Sequence, residues 1–255
     1  MTTTPRSHAA RRGGWIRRYH ESRGTGPALV CCPHAGGSAS AYFSLSAALS
    51  GTADVLIAQY PGRQDRIGEA PLEDIGQLAD QLAEALAPWQ ERPLALFGHS
   101  MGSVVAYETA LRLERSGHGP VGLIVSGRAA PSVRQDRGIH RLDDAGIAAQ
   151  LAELAGTPQA LFEDPELLET VLPPVRADFR AVETYQDLSG GAVGCPLSAY
   201  CGRDDTDVPR DGFLAWGGHT TAAFRTELFE GGHFYLQDRE REVAQAIARD
   251  LASFA

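Results

Sequence analysis

Ser100 sits between two glycines in Gly98-His99-Ser100-Met101-Gly102, and that run is where the sequence offers chemistry. The pattern is G-x-S-x-G. It follows the apolar stretch Pro93–Phe97 and precedes a helical pattern from Ser103 to Leu111. Strand, tight turn and helix make the context of a nucleophile elbow. The glycines let the backbone turn without a Cβ clash, which exposes the Ser100 hydroxyl at the edge of a sheet. A serine hydroxyl is a weak nucleophile: it needs a base, and the base needs an acid to orient it. The chemistry open to such a site is hydrolysis or acyl transfer.

On an α/β-hydrolase scaffold the acid and then the base follow the serine in the chain. Of eight histidines, only His140, His219 and His233 lie well beyond the elbow. His140 precedes most of a helical region, and His219 sits in a polar Gly-Gly-His-Thr stretch. His233 follows a strand and two glycines, so it is the candidate base. The acid is expected just after the preceding strand, in Gly202-Arg203-Asp204-Asp205-Thr206-Asp207. Asp204 is the candidate, Asp205 its rival, and Asp207 is expected to cap a helix near Pro209. The developing negative oxygen needs two backbone N–H groups. Met101, just after the nucleophile, supplies one. Ala35, in the Gly-rich loop Pro33–Gly37 after another strand, supplies the other. His34 and His99 flank this hole and are expected to make structural hydrogen bonds.

The elements that must hold these residues are legible as apolar runs. Ala28–Cys32, Val55–Tyr60, Pro93–Phe97, Val121–Ser126, Leu197–Cys201 and Thr226–Phe229 read as strands of a mostly parallel sheet, with Trp15–His20 as an edge strand. Amphipathic helices over Ile75–Leu86 and Glu240–Phe254 alternate with them, which predicts an α/β fold with helices on both faces. Residues 132–194 break the rhythm. There only helical signals occur: Asp144–Leu154, an N-cap at Asp164 before Pro165, and Val175–Leu188 after an interruption at Pro173-Pro174. An insertion of this kind reads as a lid over the site. A flexible basic tail over 1–14 and one domain over 15–255 complete the expected organisation.

The 255 residues carry a formal net charge of −9, which argues against nucleic acid as the main partner. The first 25 residues hold six arginines against one acid, leaving −14 on the rest. All 23 basic residues are arginine, so Schiff-base chemistry and a Walker A lysine are excluded. No apolar run approaches a membrane span or a signal-peptide core, and a cytoplasmic location is expected. The four cysteines lack zinc-type spacing and are expected as free thiols.

Several stretches together resemble the type II thioesterases of polyketide and nonribosomal peptide synthesis. They are Pro33-His-Ala-Gly-Gly37, Tyr60-Pro-Gly-Arg63, Phe97–Gly102, Ser126-Gly-Arg128, Arg176-Ala-Asp-Phe179, Gly202–Asp205 and Gly231-Gly-His-Phe234. The resemblance covers nearly the whole chain from Trp15. It implies an α/β-hydrolase fold and a Ser100, Asp204, His233 triad with oxyanion amides at Ala35 and Met101. It also implies hydrolysis of acyl groups from the phosphopantetheine arm of acyl or peptidyl carrier proteins, as a discrete editing enzyme, with no metal or cofactor. A product-releasing thioesterase or a small-substrate esterase is the alternative on the same fold, and a non-catalytic carrier-binding protein a remote one. Such carriers are usually acidic, so docking on this acidic body needs a local basic patch. Arg63, Arg66, Arg128 and Arg203, each beyond a strand end, are the candidates.

Overall fold

The computed structural model describes residues 14–22, 24, 26–153, 165–187 and 190–254. The expected tail, Gly14 apart, and the Asp164 cap lie outside them.

Seven strands form one sheet: β1 (Ile16–Arg17), β2 (Ala28–Cys32), β3 (Asp54–Ala58), β4 (Leu94–His99), β5 (Gly122–Ser126), β6 (Leu197–Gly202) and β7 (Phe224–Phe229). Their spatial order is β1-β3-β2-β4-β5-β6-β7, with β1 antiparallel to β3 and every other pair parallel. The strands β2 to β6 are buried throughout, as continuous apolar runs require. β1 is shorter than expected. Past Arg17 the chain leaves the ladder, and Arg18 turns to pair with buried Asp54 at 2.6 Å.

Helices cover both faces. On one side α2 (Ile75–Ala85) and α3 (Met101–Arg115) pack on a core through Leu56, Leu96, Leu123 and Trp216. On the other, α1 (Phe43–Leu49) and α7 (Glu240–Phe254) pack on a core through Leu29, Ile57, Phe97 and Ile124. The periodicity of α2 is as read, with Ile75, Leu78, Ala79 and Leu82 buried, and Asp74 caps it by accepting the Gln77 N–H at 2.8 Å. Each of these large apolar side chains contributes roughly 1.5–3 kcal/mol by leaving water.

The insertion holds α4 (Asp144–Glu153) and α5 (Pro165–Thr184). The expected interruption at Pro173-Pro174 is corrected: α5 runs straight through both prolines. Proline lacks the N–H for the helical bond four residues back. Here a buried apolar face, Leu172, Val175 and Phe179, packs with Ile139, Ile147 and Leu151 into a small third core and outweighs that loss.

The strand order places the site. The chain lays down β2, steps outward to β3, then returns across β2 to begin β4 and continue the other way. The loops leaving β2 and β4 therefore part in opposite directions, and the cleft between them is where open α/β sheets bind ligands.

Candidate active site

Ser100 occupies the turn between β4 and α3 with φ 55 and ψ −120, a strained conformation for a residue with a Cβ. The flanking glycines are obligatory. A Cβ on Gly98 would lie 2.0 Å from the Gly102 carbonyl oxygen, and one on Gly102 would lie 1.9 Å from that of Cys32. So α3 starts in direct backbone contact with β2 and β4. The turn is latched to the end of β5: Ser100 donates its N–H to the Ser126 carbonyl at 2.8 Å, and Ser126 donates its own to Ser103 Oγ at 3.0 Å.

His233 stands beyond β7 on a turn opened by Gly231, whose φ is +116. This turn lies directly on the end of β6, since a Cβ on Gly202 would meet the Gly232 and Gly231 carbonyls at 2.3 and 2.4 Å. His233 Nδ1 is 2.9 Å from Asp205 Oδ2, and the Asp205 side chain is fully shielded from solvent. The sequence expectation of Asp204 as the partner is therefore corrected to its rival. β6 extends one residue further than read, to Gly202, and the amides of Arg203 and Asp204 go on bonding to Phe229 and Gly231. That ladder leaves Asp204 exposed. The next residue, Asp205, turns inward and braces itself by accepting the Asp207 N–H at 3.0 Å. Asp207 is no cap either: its carboxylate accepts from Arg137 at 2.8 Å, and Pro209 precedes α6 (Arg210–Leu214) without a side-chain cap.

Of the two expected oxyanion donors, Met101 follows the serine in the chain and Ala35 lies on the loop after β2. Ala35 and Gly36 are the central residues of a turn closed by the Gly37 N–H on the His34 carbonyl at 2.9 Å, with Gly36 at φ +74 as such a turn requires. Met101 opens α3, so its N–H has no acceptor within the helix. A cavity of about 70 Å³ brings Ala35, Ser100 and His233 together with Arg128, Ile139 and Phe179.

Two rings pack against His233, and a third, His34, packs behind them. His99 stands 5.0 Å away, Phe234 5.1 Å, and His34 is 4.9 Å from Phe234. His99 Nδ1 bonds Ser126 Oγ at 2.8 Å, which in turn bonds the Tyr235 hydroxyl at 2.6 Å. Burial, then the neighbouring His233, pushes His34 down to about 4 and His99 well below the ordinary histidine value. Both rings stay neutral near pH 7. A positive charge forming on His233 thus meets no like charge on either of these rings.

The arginines divide. Arg63 and Arg66 are buried, which corrects their expected place on a docking surface. Arg63 pairs with Asp178 at 2.7 Å, and Arg66 with Glu69 at 2.5 Å while also bonding the Gln59 carbonyl. Arg128 lines the serine's cavity and donates to the Val182 carbonyl at 3.2 Å; burial lowers it to about 10, so it stays cationic. Arg203 is exposed and pairs with Glu230 at 2.7 Å.

Glu183 was not legible in the sequence. From α5 it accepts the amides of Arg137, Ile139 and His140 and bonds His140 Nδ1 at 2.6 Å, ordering the loop that roofs the cavity. No local pattern distinguishes it from other lid acids. Among the described residues, Asp136, His140 and Glu183, and Asp205, Asp207 and His233, bring possible metal ligands within 4.8 Å. Their oxygens are already engaged by amides, arginines and histidines, so neither group reads as a metal centre. No helix among the described residues is long and apolar enough to cross a membrane. The four cysteines are buried free thiols.

Comparison with known proteins gives the same picture. The family model described as a thioesterase domain matches residues 27–251. The chain is 45% identical to the thioesterase PikA5 of Streptomyces venezuelae, over 94% of this chain and 86% of that protein. The structure resembles the type II thioesterase BorB from the borrelidin biosynthetic cluster, with a TM-score of 0.86 and 45% identity over 93% of this chain and 97% of that one. It likewise resembles YbtT, a type II thioesterase from the yersiniabactin pathway, with a TM-score of 0.86 and 33% identity over 94% and 99%.

Proposed function

The chain belongs to the thioesterase family and is a thioester hydrolase similar to type II thioesterases; on that footing we propose that Ser100, His233 and Asp205 remove acyl groups from the phosphopantetheine arm of a carrier protein. The observation that carries this reading is the contact of His233 with the buried Asp205, His233 and the strained Ser100 lining one cavity.

Ser100 Oγ attacks the thioester carbonyl carbon as His233 takes its proton. Asp205, on Nδ1, holds the imidazole with its other nitrogen toward the serine and stabilises the imidazolium that forms. The carbonyl electron pair moves onto oxygen, where the amides of Ala35 and Met101 receive it. The Met101 amide is the more effective for standing at the positive end of α3. Collapse expels the thiolate, His233 returns the proton to it, and an acyl-serine remains. His233 then activates a water, and the same steps release a free acid.

The acyl end of the site lies where Ile139, Phe179 and Val182, described residues of the expected lid, give apolar walls. Arg128, inside the cavity, and Arg203, on the surface beyond β6, are the remaining candidates for contact with the carrier or its arm. The test is Ser100→Ala assayed on an acyl-carrier. Turnover falls to background while carrier binding is retained. Unchanged turnover would refute the reading.

A further inference from the structure

Two stretches in the sequence pattern, Tyr60–Arg63 and Arg176–Phe179, take no part in the triad. The fold joins them. Asp178, on α5, is fully buried and Arg63 nearly so. Their pairing is bidentate, Nη1 to Oδ2 at 2.7 Å and Nη2 to Oδ1 at 2.9 Å. The same Oδ2 accepts the Gly36 amide at 2.8 Å, and Arg63 Nη1 also reaches the Gly37 carbonyl at 3.1 Å. The pair thus grips both sides of Gly36, the positive-φ residue of the Ala35 turn. Val175, one turn earlier on α5, packs against the same spot: a Cβ on Gly36 would lie 3.0 Å from its Cγ2.

A buried ion pair contributes little net stability, because desolvation offsets the attraction and apolar residues of the same volume often fold as well. What it supplies is direction. A guanidinium and a carboxylate in a dry site must both be satisfied, and this pair is satisfied only with the turn in its present form. Flipping the Ala35–Gly36 peptide would take an N–H away from a buried carboxylate.

We propose that Asp178 and Arg63 are a positioning pair that transmits the seating of the lid helix α5 to the oxyanion turn, so that the Ala35 amide is aimed when the lid is in place. The proposal rests on the reading of Ala35 as an oxyanion donor. Neither residue touches the reacting atoms.

Asp178→Asn and Arg63→Lys test it with a short acyl-thioester substrate and two ligands. One ligand is a trifluoromethyl ketone, whose carbonyl carbon bonds Ser100 Oγ while the serine proton passes to His233 and the carbonyl pair becomes an oxyanion. The other is the unreactive amide analogue of the substrate. Each variant loses about 10- to 100-fold in kcat with KM within about twofold. Ketone affinity falls by the same factor as kcat/KM, and amide affinity does not change. Lysine keeps the charge but not the fork, so it does not restore the turn. Retained kcat, or a loss not mirrored in ketone affinity, would overturn the proposal. Should Asp178→Asn fail to fold, Gly36→Ala strains the same turn and must show the same split. Deuterium exchange at the Gly36 amide separates this proposal from the hydrolase reading. The pair predicts protection in the wild type and about tenfold or greater loss in Asp178→Asn, whether or not any thioester is cleaved. Equal protection in both contradicts the pair; a wild type inert to every thioester contradicts the hydrolase reading instead.

Discussion

Asp204 and Asp205 differ by one position and by nearly everything else. One is exposed on a turn; the other is shielded and 2.9 Å from His233. Asp205→Asn should lower kcat by about 10³- to 10⁴-fold, because an amide no longer enforces the tautomer or stabilises the imidazolium. Asp204→Asn should leave kcat within about twofold. Equal losses in the two would undo the assignment. The serine and the histidine were readable because glycines announce both turns. The acid was not, since which of two adjacent aspartates faces inward depends on β6 extending to Gly202 and on backbone bonds to Phe229 and Gly231. Those are tertiary facts. His34 and His99 give a second residue-scale consequence. Their folded-state values lie below the ordinary histidine value, so unfolded chains bind protons that the native rings refuse. For His34 the contribution is intact above about pH 6.5 and is lost as pH falls toward about 4. The thermal midpoint of His34→Gln should therefore fall less between pH 7 and pH 4.5 than that of the wild type. Parallel declines would show that His34 is not among the groups responsible.

At the level of elements, the elbow works because α3 begins in backbone contact with β2. Gly102→Ala places a methyl where the Cys32 carbonyl stands, 1.9 Å away, and neither backbone is free to yield. Chemical denaturation should show a loss of at least about 2 kcal/mol, or no folded protein. A variant as stable as the wild type would mean that α3 can shift outward. Strands were the most legible elements, since runs such as Leu29–Cys31 and Leu94–Phe97 are apolar on both faces and bounded by turn residues. The lid helix was the least legible. Pro173-Pro174 reads as a break, and only the third core, through Leu172, Val175 and Phe179, explains why the helix persists. Two arginines following β3 looked like docking contacts for the same reason. Sequence places Arg63 beyond a strand end but does not show the buried carboxylate that arrives from 115 residues further on.

For the whole molecule, an acidic chain of net charge −9 must meet a carrier that the family resemblance implies is acidic too. Long-range repulsion should slow their encounter. Raising ionic strength from about 0.02 to 0.2 M shortens the screening length from about 20 to 7 Å. It should raise kcat/KM on the carrier, or leave it level, and leave the short thioester unaffected. A steep fall with salt on the carrier alone would reveal an attractive patch, with Arg128 and Arg203 the first residues to replace. The most direct test of the central claim is the intact mass of a carrier bearing a panel of acyl thioesters, followed with wild-type protein and with Ser100→Ala. The expected result is conversion to the free-thiol carrier for at least one acyl group, with a free acid released, and none with Ser100→Ala. Persistence of every acyl-carrier with the wild type, or equal conversion by the variant, would contradict it.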